Sequence, residues 1–234
     1  MNPLVVDIET VPLQSSMELP YPAADRQPPA NYKSDEAIAK WREADEQKWK
    51  SEAVKAYSVN PRLGRVLCIG IATSGQKAAV VVAPEEREEV YILNKFWQLV
   101  NEHHGNVVTW NGAWDLRFII IRSIANGIMP TAYIADWFRK YSVTTHFDCK
   151  AVLLNWDVRA VGEGLDEWAK FFGLGGKSDG MDGSMVYEKH LAGAWSEIAD
   201  YCANDVHQTD AIFRRIVGAF APHIAMGLDS ESGE

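Results

Sequence analysis

The sequence predicts an α/β domain built around a mixed sheet, and three observations carry that expectation. Apolar runs of strand length stand early, at residues 4–8, 65–73 and 77–83. Segments with helical periodicity separate and follow them, at 34–57, 89–104, 114–125 and 195–220. Turn formers sit at the edges of these segments, as Asn60-Pro61, Asn111-Gly112 and Asn126-Gly127. Strands early, with helices between and after them, give a central sheet flanked by helices.

The first strand reads LVVDI, and Asp7 and Glu9 stand two residues apart where its apolar run ends. Residues 12–32 hold Pro12, Pro20, Pro22, Pro28 and Pro29 and read as irregular. Ser34 can cap a helix with Asp35 and Glu36 in its first turn, which runs to about Tyr57. Residues 15–61 therefore form an insertion with a long helix after the first strand. Packing through Ile38, Trp41, Trp49, Ala53 and Tyr57 with a solvated charged face accounts for this helix; Lys40, Arg42, Lys48 and Lys50 leave contact with a nucleic acid open.

RVLCIGIAT and KAAVVVA supply two further strands, and a helix follows over 89–104. VVTW, residues 107–110, is a strand that turns at Asn111-Gly112 into a helix from about Trp114 to Ala125. HFDCK, residues 146–150, ends a strand and leads into helical AVLLNW, and LDEWAKFF, residues 165–172, is a short helix. A Gly-rich loop spans 173–183. The final helix places Ile198, Tyr201, Cys202, Val206, Ile212, Phe213, Ile216 and Phe220 on one face. The expected organisation is one domain over 1–225 and a disordered tail over 226–234.

Composition narrows the class. Apolar residues make up 47% of the 234 and charged residues 24%, as in soluble globular proteins. No apolar run is long enough to span a bilayer, and the start lacks the pattern of a signal peptide, so no membrane partner is expected. Cys68, Cys149 and Cys202 form no CxxC pair and fit a reducing compartment, with cytoplasm as the expectation. The net charge of −9 argues against coating nucleic acid by electrostatics alone. It permits an enzyme that meets phosphates through bound cations, because ions reverse the local sign of an acidic site.

Three stretches carry acids that could share such ions. In VVDIET, Asp7 and Glu9 face the same side of a strand with Cα atoms about 6.5–7 Å apart. That spacing suits two cations about 3.5–4 Å apart, although a strand end reaching water explains the pair as well. In TWNGAWDLRFII, Asp115 lies in the first turn of a helix, where an acid also suits the helix dipole. In YCANDVHQT, Tyr201 and Asp205 share a helical face whose neighbours are apolar. An acid on a buried face needs a partner, and a hydrogen bond within the core serves as well as a metal.

Taken in order, DIET, NGxWDxxF and YCxxDVxxT resemble the DEDDy 3′–5′ exonucleases of the RNase H-like superfamily, which includes polymerase proofreading domains. The detail is most similar to free-standing relatives of the family-B DNA polymerase exonuclease domain. NPRLGRVLCIGIA and LDEWAKFFGLGGKSDGMDGSMVYE support the resemblance, which covers Leu4 to about Ile216. Trp114 stands where Phe is usual, one aromatic for another.

The resemblance implies an RNase H-like fold and four metal ligands, Asp7, Glu9, Asp115 and Asp205, holding two divalent cations, Mg²⁺ or Mn²⁺. Oxygen-only ligands suit those ions. Tyr201 would position the attacking water. Thr10 and Asn111 would lie near the 3′-terminal nucleotide, with Trp114 as a further substrate contact; Lys177, in the Gly-rich loop, could meet a nucleic-acid phosphate or simply be solvated. Asp148 could lie close by or simply cap a helix.

The implied reaction is removal of 5′-mononucleotides from the 3′ end of single-stranded DNA by two-metal-ion hydrolysis. An exoribonuclease of the same fold and a non-catalytic accessory subunit are the alternatives. A replication or repair protein is the expected partner. GLGGKS, residues 173–178, echoes a P-loop, but position 171 is Phe instead of the required Gly and the stretch follows a helix. An NTPase is rejected on that ground.

Overall fold

Alternation along the first strand sets up the layers of this computed structural model, which describes residues 2–157, 164–175 and 181–224, with side chains to residue 219. In β1 (Leu4–Pro12), Leu4, Val6 and Ile8 enter one core cluster, while Val5 and Val11 enter clusters on the other face. The chain continues through α1 (Gln14–Met17), α2 (Asp35–Ser58), β2 (Gly64–Thr73), β3 (Ala79–Val82) and α3 (Glu89–Glu102). Next come β4 (Val107–Thr109), α4 (Gly112–Ala125), β5 (His146–Asp148) and α5 (Cys149–Leu153). The last helices are α6 (Leu165–Phe171), α7 (Val186–Leu191) and α8 (Trp195–Ile224).

The five strands lie in the order β3-β2-β1-β4-β5. β1 pairs antiparallel with β2 and parallel with β4; β2 and β3 are antiparallel, and β4 and β5 parallel. The sheet is mixed, as the sequence predicts, and β1 lies at its centre.

On one face, α3 and α4 close a core around Ile92, Phe96, Trp97, Leu116, Phe118 and Ile119. A buried ion pair crosses this layer. Arg122 meets Glu89 bidentately, with Nη2–Oε2 at 2.6 Å and Nε–Oε1 at 2.9 Å. Glu89 also accepts from the Val66 N–H at 2.8 Å and Asn126 Nδ2 at 3.2 Å. The pair ties α3, α4 and β2 together with its hydrogen-bonding capacity used.

On the other face, α8 crosses β1, β2 and β3 at close range. Gly70 of β2, the partner of Asp7 in the ladder, makes that approach possible. A Cβ there would stand 2.7 Å from Cys202 Sγ and 2.9 Å from Val206 Cγ2.

Several boundaries differ from the sequence expectation. β1 runs to Pro12, so Asp7 and Glu9 sit in mid-strand and not at a strand end leading into water. The cause is pairing: β2 continues along β1 as far as Pro12↔Gly64, with a bulge between Glu9 and Thr10. α4 begins at Gly112, two residues before the expected start, and α7 is a helix that the sequence does not predict.

The insertion helix α2 buries only Ala53, leaving Ile38, Trp41, Trp49 and Tyr57 half-buried. Polar contacts supplement this thin apolar stripe: Asp45 accepts from both Tyr21 and Arg26, and the Tyr21 ring meets Trp49 edge-on. Residues 176–180 of the Gly-rich loop and the 226–234 tail lie outside the described residues. Among the described residues no helix is long and apolar enough to cross a membrane.

Candidate active site

β1 and α8 bring three carboxylates together. Asp7 and Glu9 point from the α8 face of β1, and Asp205 comes down from the helix that Gly70 lets approach. Asp7, Glu9 and Asp205 each offer an oxygen, and these atoms lie within 4.8 Å of one another. Asp115, 5% exposed, joins them electrostatically from the first turn of α4: its charge acts on Asp7, and that of Asp205 acts on it.

The electrostatics follow from this crowding. Burial first, then the charges of Glu9, Asp115 and Asp205, push the Asp7 carboxyl well above the usual carboxylate range. Burial, with Asp148 and Asp205 adding to it, pushes Asp115 up to about 8, against backbone hydrogen bonds that favour the anion. A divalent cation among these groups reverses that logic, because it favours every ionised form at once. The donor set is all oxygen, and its chemistry fits Mg²⁺ or Mn²⁺.

Tyr201 lies one turn before Asp205, half-buried and hydrogen-bonded to that carboxylate. Burial and the charges of Glu9, Asp205 and Asp7 raise its phenol above the ordinary value. It stays protonated at neutral pH and acts as a hydrogen-bond donor, not as a base.

The other sequence-predicted residues divide. Asn111 caps α4, its carbonyl accepting from the N–H groups of Trp114 at 2.8 Å and Asp115 at 3.2 Å, so it stands beside the acids. Trp114 is half-buried, with its ring 5.6 Å from that of Phe118. Thr10 is not turned to the acids: its hydroxyl donates to the Ser58 carbonyl at 2.7 Å, tying β1 to the end of α2. Lys177 lies outside the described residues. For Asp148, both sequence readings hold. It caps α5 through Ala151 N at 2.9 Å, accepts from Ala113 N at 3.4 Å, and places its charge near Asp115.

Sequence reasoning missed the residues that shape the site without belonging to its acids. Cys202 Sγ lies 3.5 Å from Asp7 Oδ2 and 3.7 Å from its backbone oxygen. Its thiol is pushed up by hydrogen bonding with Cys68, the ladder partner of Glu9, and by burial. Gly112 lets α4 start against β5, where a Cβ would lie 2.3 Å from His146 Nε2. His146 bonds Thr109 Oγ1 at 2.9 Å, and burial lowers its pKa to about 4, so the ring is neutral. A glycine in the middle of an apolar strand was the available signal for Gly70.

This fold belongs to a known class. A family model described as "Predicted 3'-5' exonuclease related to the exonuclease domain of PolB" matches residues 59–222, and the chain belongs to that family. The match encloses Asp115, Tyr201 and Asp205, while Asp7 and Glu9 precede it. Among solved structures, a family B DNA polymerase from the hyperthermophilic archaeon Pyrobaculum calidifontis is similar with a TM-score of 0.57 and 19% identity. The alignment covers 93% of this chain and 24% of the polymerase chain, so this chain spans about a quarter of its relative's length. The shared fold is the RNase H-like mixed sheet with flanking helices. No protein of curated function matches the chain.

Proposed function

We propose that the chain is a divalent-cation-dependent 3′–5′ exonuclease that removes 5′-mononucleotides from the 3′ end of single-stranded DNA by two-metal-ion hydrolysis. The observation that carries this reading is the convergence of Asp7, Glu9 and Asp205 oxygens to within 4.8 Å. Asp7, Glu9, Asp115 and Asp205 would hold two Mg²⁺ or Mn²⁺ ions. Such ions supply a water of lowered pKa and charge stabilisation for the leaving oxygen.

The chain's own residues do the rest. The four acids, crowded together with Asp115 and Asp205 buried, favour a divalent partner over any arrangement of their own charges. Tyr201, a neutral donor held by Asp205, orients the nucleophilic water. Asn111 and Trp114 stand at the start of α4, where an amide and an aromatic face suit a splayed terminal nucleotide. The setting we propose is cytoplasmic, beside a replication or repair protein.

The test is digestion of end-labelled single-stranded DNA and RNA with Mg²⁺, Mn²⁺ or EDTA. Loss of a group outside the metal ligands costs about 10–100-fold. Tyr201→Phe should fall in that range, and Asp7→Ala and Asp205→Ala should exceed its upper end. Faster RNA digestion would reassign the substrate. Parental rates in both alanine variants would sink the metal-site reading, and binding without cleavage in every buffer would leave an accessory subunit.

A further inference from the structure

Beside the acids, and sharing residues with their surroundings, lies a cavity of about 530 Å³ between α4, the 134–142 segment and the β5–α5 corner. This is within the range of about 300–1,000 Å³ typical of ligand sites. We propose that it receives nucleotides of the substrate strand that precede the scissile end. Their bases would lie on Trp156 and Phe138, and their phosphates at Arg117, Arg139 and Lys140. The proposal rests on the exonuclease reading and extends it to where the rest of the strand runs.

Continuity comes first. Gly112 and Ala113 line the cavity and begin the helix that carries Asp115 three and two residues later. Asp148, whose charge acts on Asp115, lines it as well. The cavity therefore starts within about one helical turn, roughly 5.4 Å along the axis, of the acidic site.

Charge is the second argument. The protein carries a net charge of −9, yet three cations meet at this cavity. Arg139 pairs with Asp136, whereas among the described residues Arg117 and Lys140 have no carboxylate partner. A cationic spot on an acidic protein, next to carboxylates that would repel phosphate, suits a strand whose phosphates must be held close by.

The aromatic side chains supply the third. Phe138 is 68% exposed and Tyr141 65%, both unusually open for their size. Tyr141 meets Trp156 edge-on at 5.5 Å, and Lys140 Nζ stands 4.9 Å from the Tyr141 ring. The backbone is held in the left-handed region at Tyr141 (φ 66°), Asn155 (φ 50°) and Trp156 (φ 54°). Bulky residues avoid that region, and such outliers gather at ligand sites. The Trp156 backbone N–H donates to the Ala151 carbonyl at 2.7 Å, which holds the main chain of this residue just past the end of α5. Alternating aromatics and cations form the surface on which single strands stack without base readout.

The experiment compares kcat/KM on a 12-nucleotide DNA strand with that on a dinucleotide too short to reach the cavity. In Trp156→Ala and in the exposed-site variant Arg117→Glu/Lys140→Glu, the ratio of the two should fall about tenfold or more. The charge variant should also flatten the salt dependence of the longer strand. A second readout needs no catalysis: anisotropy of fluorescein-labelled (dT)12 on Asp205→Ala protein, where Lys140→Glu should weaken binding about as much. An unchanged ratio together with unchanged anisotropy overturns the proposal. If the parent cleaves neither substrate, the exonuclease reading fails, and anisotropy alone decides whether this cavity holds a strand. A circular dichroism melt of Trp156→Ala separates loss of fold from loss of binding, and the double-charge variant stands if that one fails to fold.

Discussion

Glu89 and Arg122, buried where α3 meets α4, neutralise each other, whereas Asp7, Glu9, Asp115 and Asp205 gather like charges where β1, α4 and α8 approach one another. Burial makes both groups costly, above all at Glu89, Arg122, Asp115 and Asp205. The first is offset inside the chain by a bidentate ion pair and two further hydrogen bonds to Glu89. In the second, burial and mutual repulsion push the carboxyl groups of Asp7 and Asp115 above their ordinary range. The first cluster is neutralised by its own protein; the second, on the reading proposed above, is where divalent cations would sit.

The sharpest way to break this contrast is to remove one member of each group. Arg122→Met strands a buried carboxylate and should destabilise the fold by about 3–5 kcal/mol. Asp205→Asn should leave the melting temperature in EDTA unchanged or higher, because it relieves repulsion. Denaturation in urea measures both. A stability loss of similar size in the two variants would show that the acids, too, are scaffold.

A smaller effect tests how the acids are brought together. Gly70→Ala pushes a methyl into Cys202 Sγ and Val206 Cγ2, and overpacking of this kind costs about 1–3 kcal/mol. Because α8 carries Asp205, nuclease activity should fall further than the stability loss alone explains. Normal activity in a destabilised Gly70→Ala would mean that α8 can move without disturbing the site.

Per pH unit, the smallest expected effect is a slope. Native Asp115 keeps its proton up to about pH 8, whereas an unfolded aspartate loses it near pH 4. Between those values the native state binds more protons, so stability of the cation-free protein falls as pH rises. The loss is limited to about 1.4 kcal/mol per pH unit for each such group. His146 acts in the opposite sense: it stays neutral down to about 4 and contributes stability that is lost as pH falls below about 6.5. Calorimetry of the parent against Asp115→Asn, at pH 5 to 8 in EDTA and in Mg²⁺, separates the two. The gain in melting temperature from Mg²⁺ should grow with pH in the parent, and a gain independent of pH would contradict the assignment.

The difference between these regions also explains what could be read in the sequence. The pairs Asp7/Glu9 and Tyr201/Asp205 stood out because their spacings follow strand and helix periods, whereas joining them with Asp115 into one set came from the resemblance to the exonucleases. Their convergence needed the tertiary fold and appears in the oxygens of Asp7, Glu9 and Asp205. The mixed sheet was legible for the same reason.

Other features depend on partners distant in the chain. Whether β1 stops at Ile8 or runs to Pro12 is decided by the length of β2. The direction of Thr10 is decided by a carbonyl 48 residues away. α7 is too short, at six residues, for periodicity to show it. The left-handed backbone at Asn155 and Trp156 leaves no mark in composition.

The contact between Cys202 and Asp7 joins positions 195 residues apart. Every element of the sheet is synthesised before the helix that brings Asp205 to it. During translation the sheet can form early, since its strands lie in the first two-thirds of the chain, but the acids remain an open pair on β1 until α8 docks. Contacts of such separation form late, because the chain must close a long loop first. Hydrolytic competence would then be withheld from the growing polypeptide and acquired in one step, when the last long helix settles over Gly70.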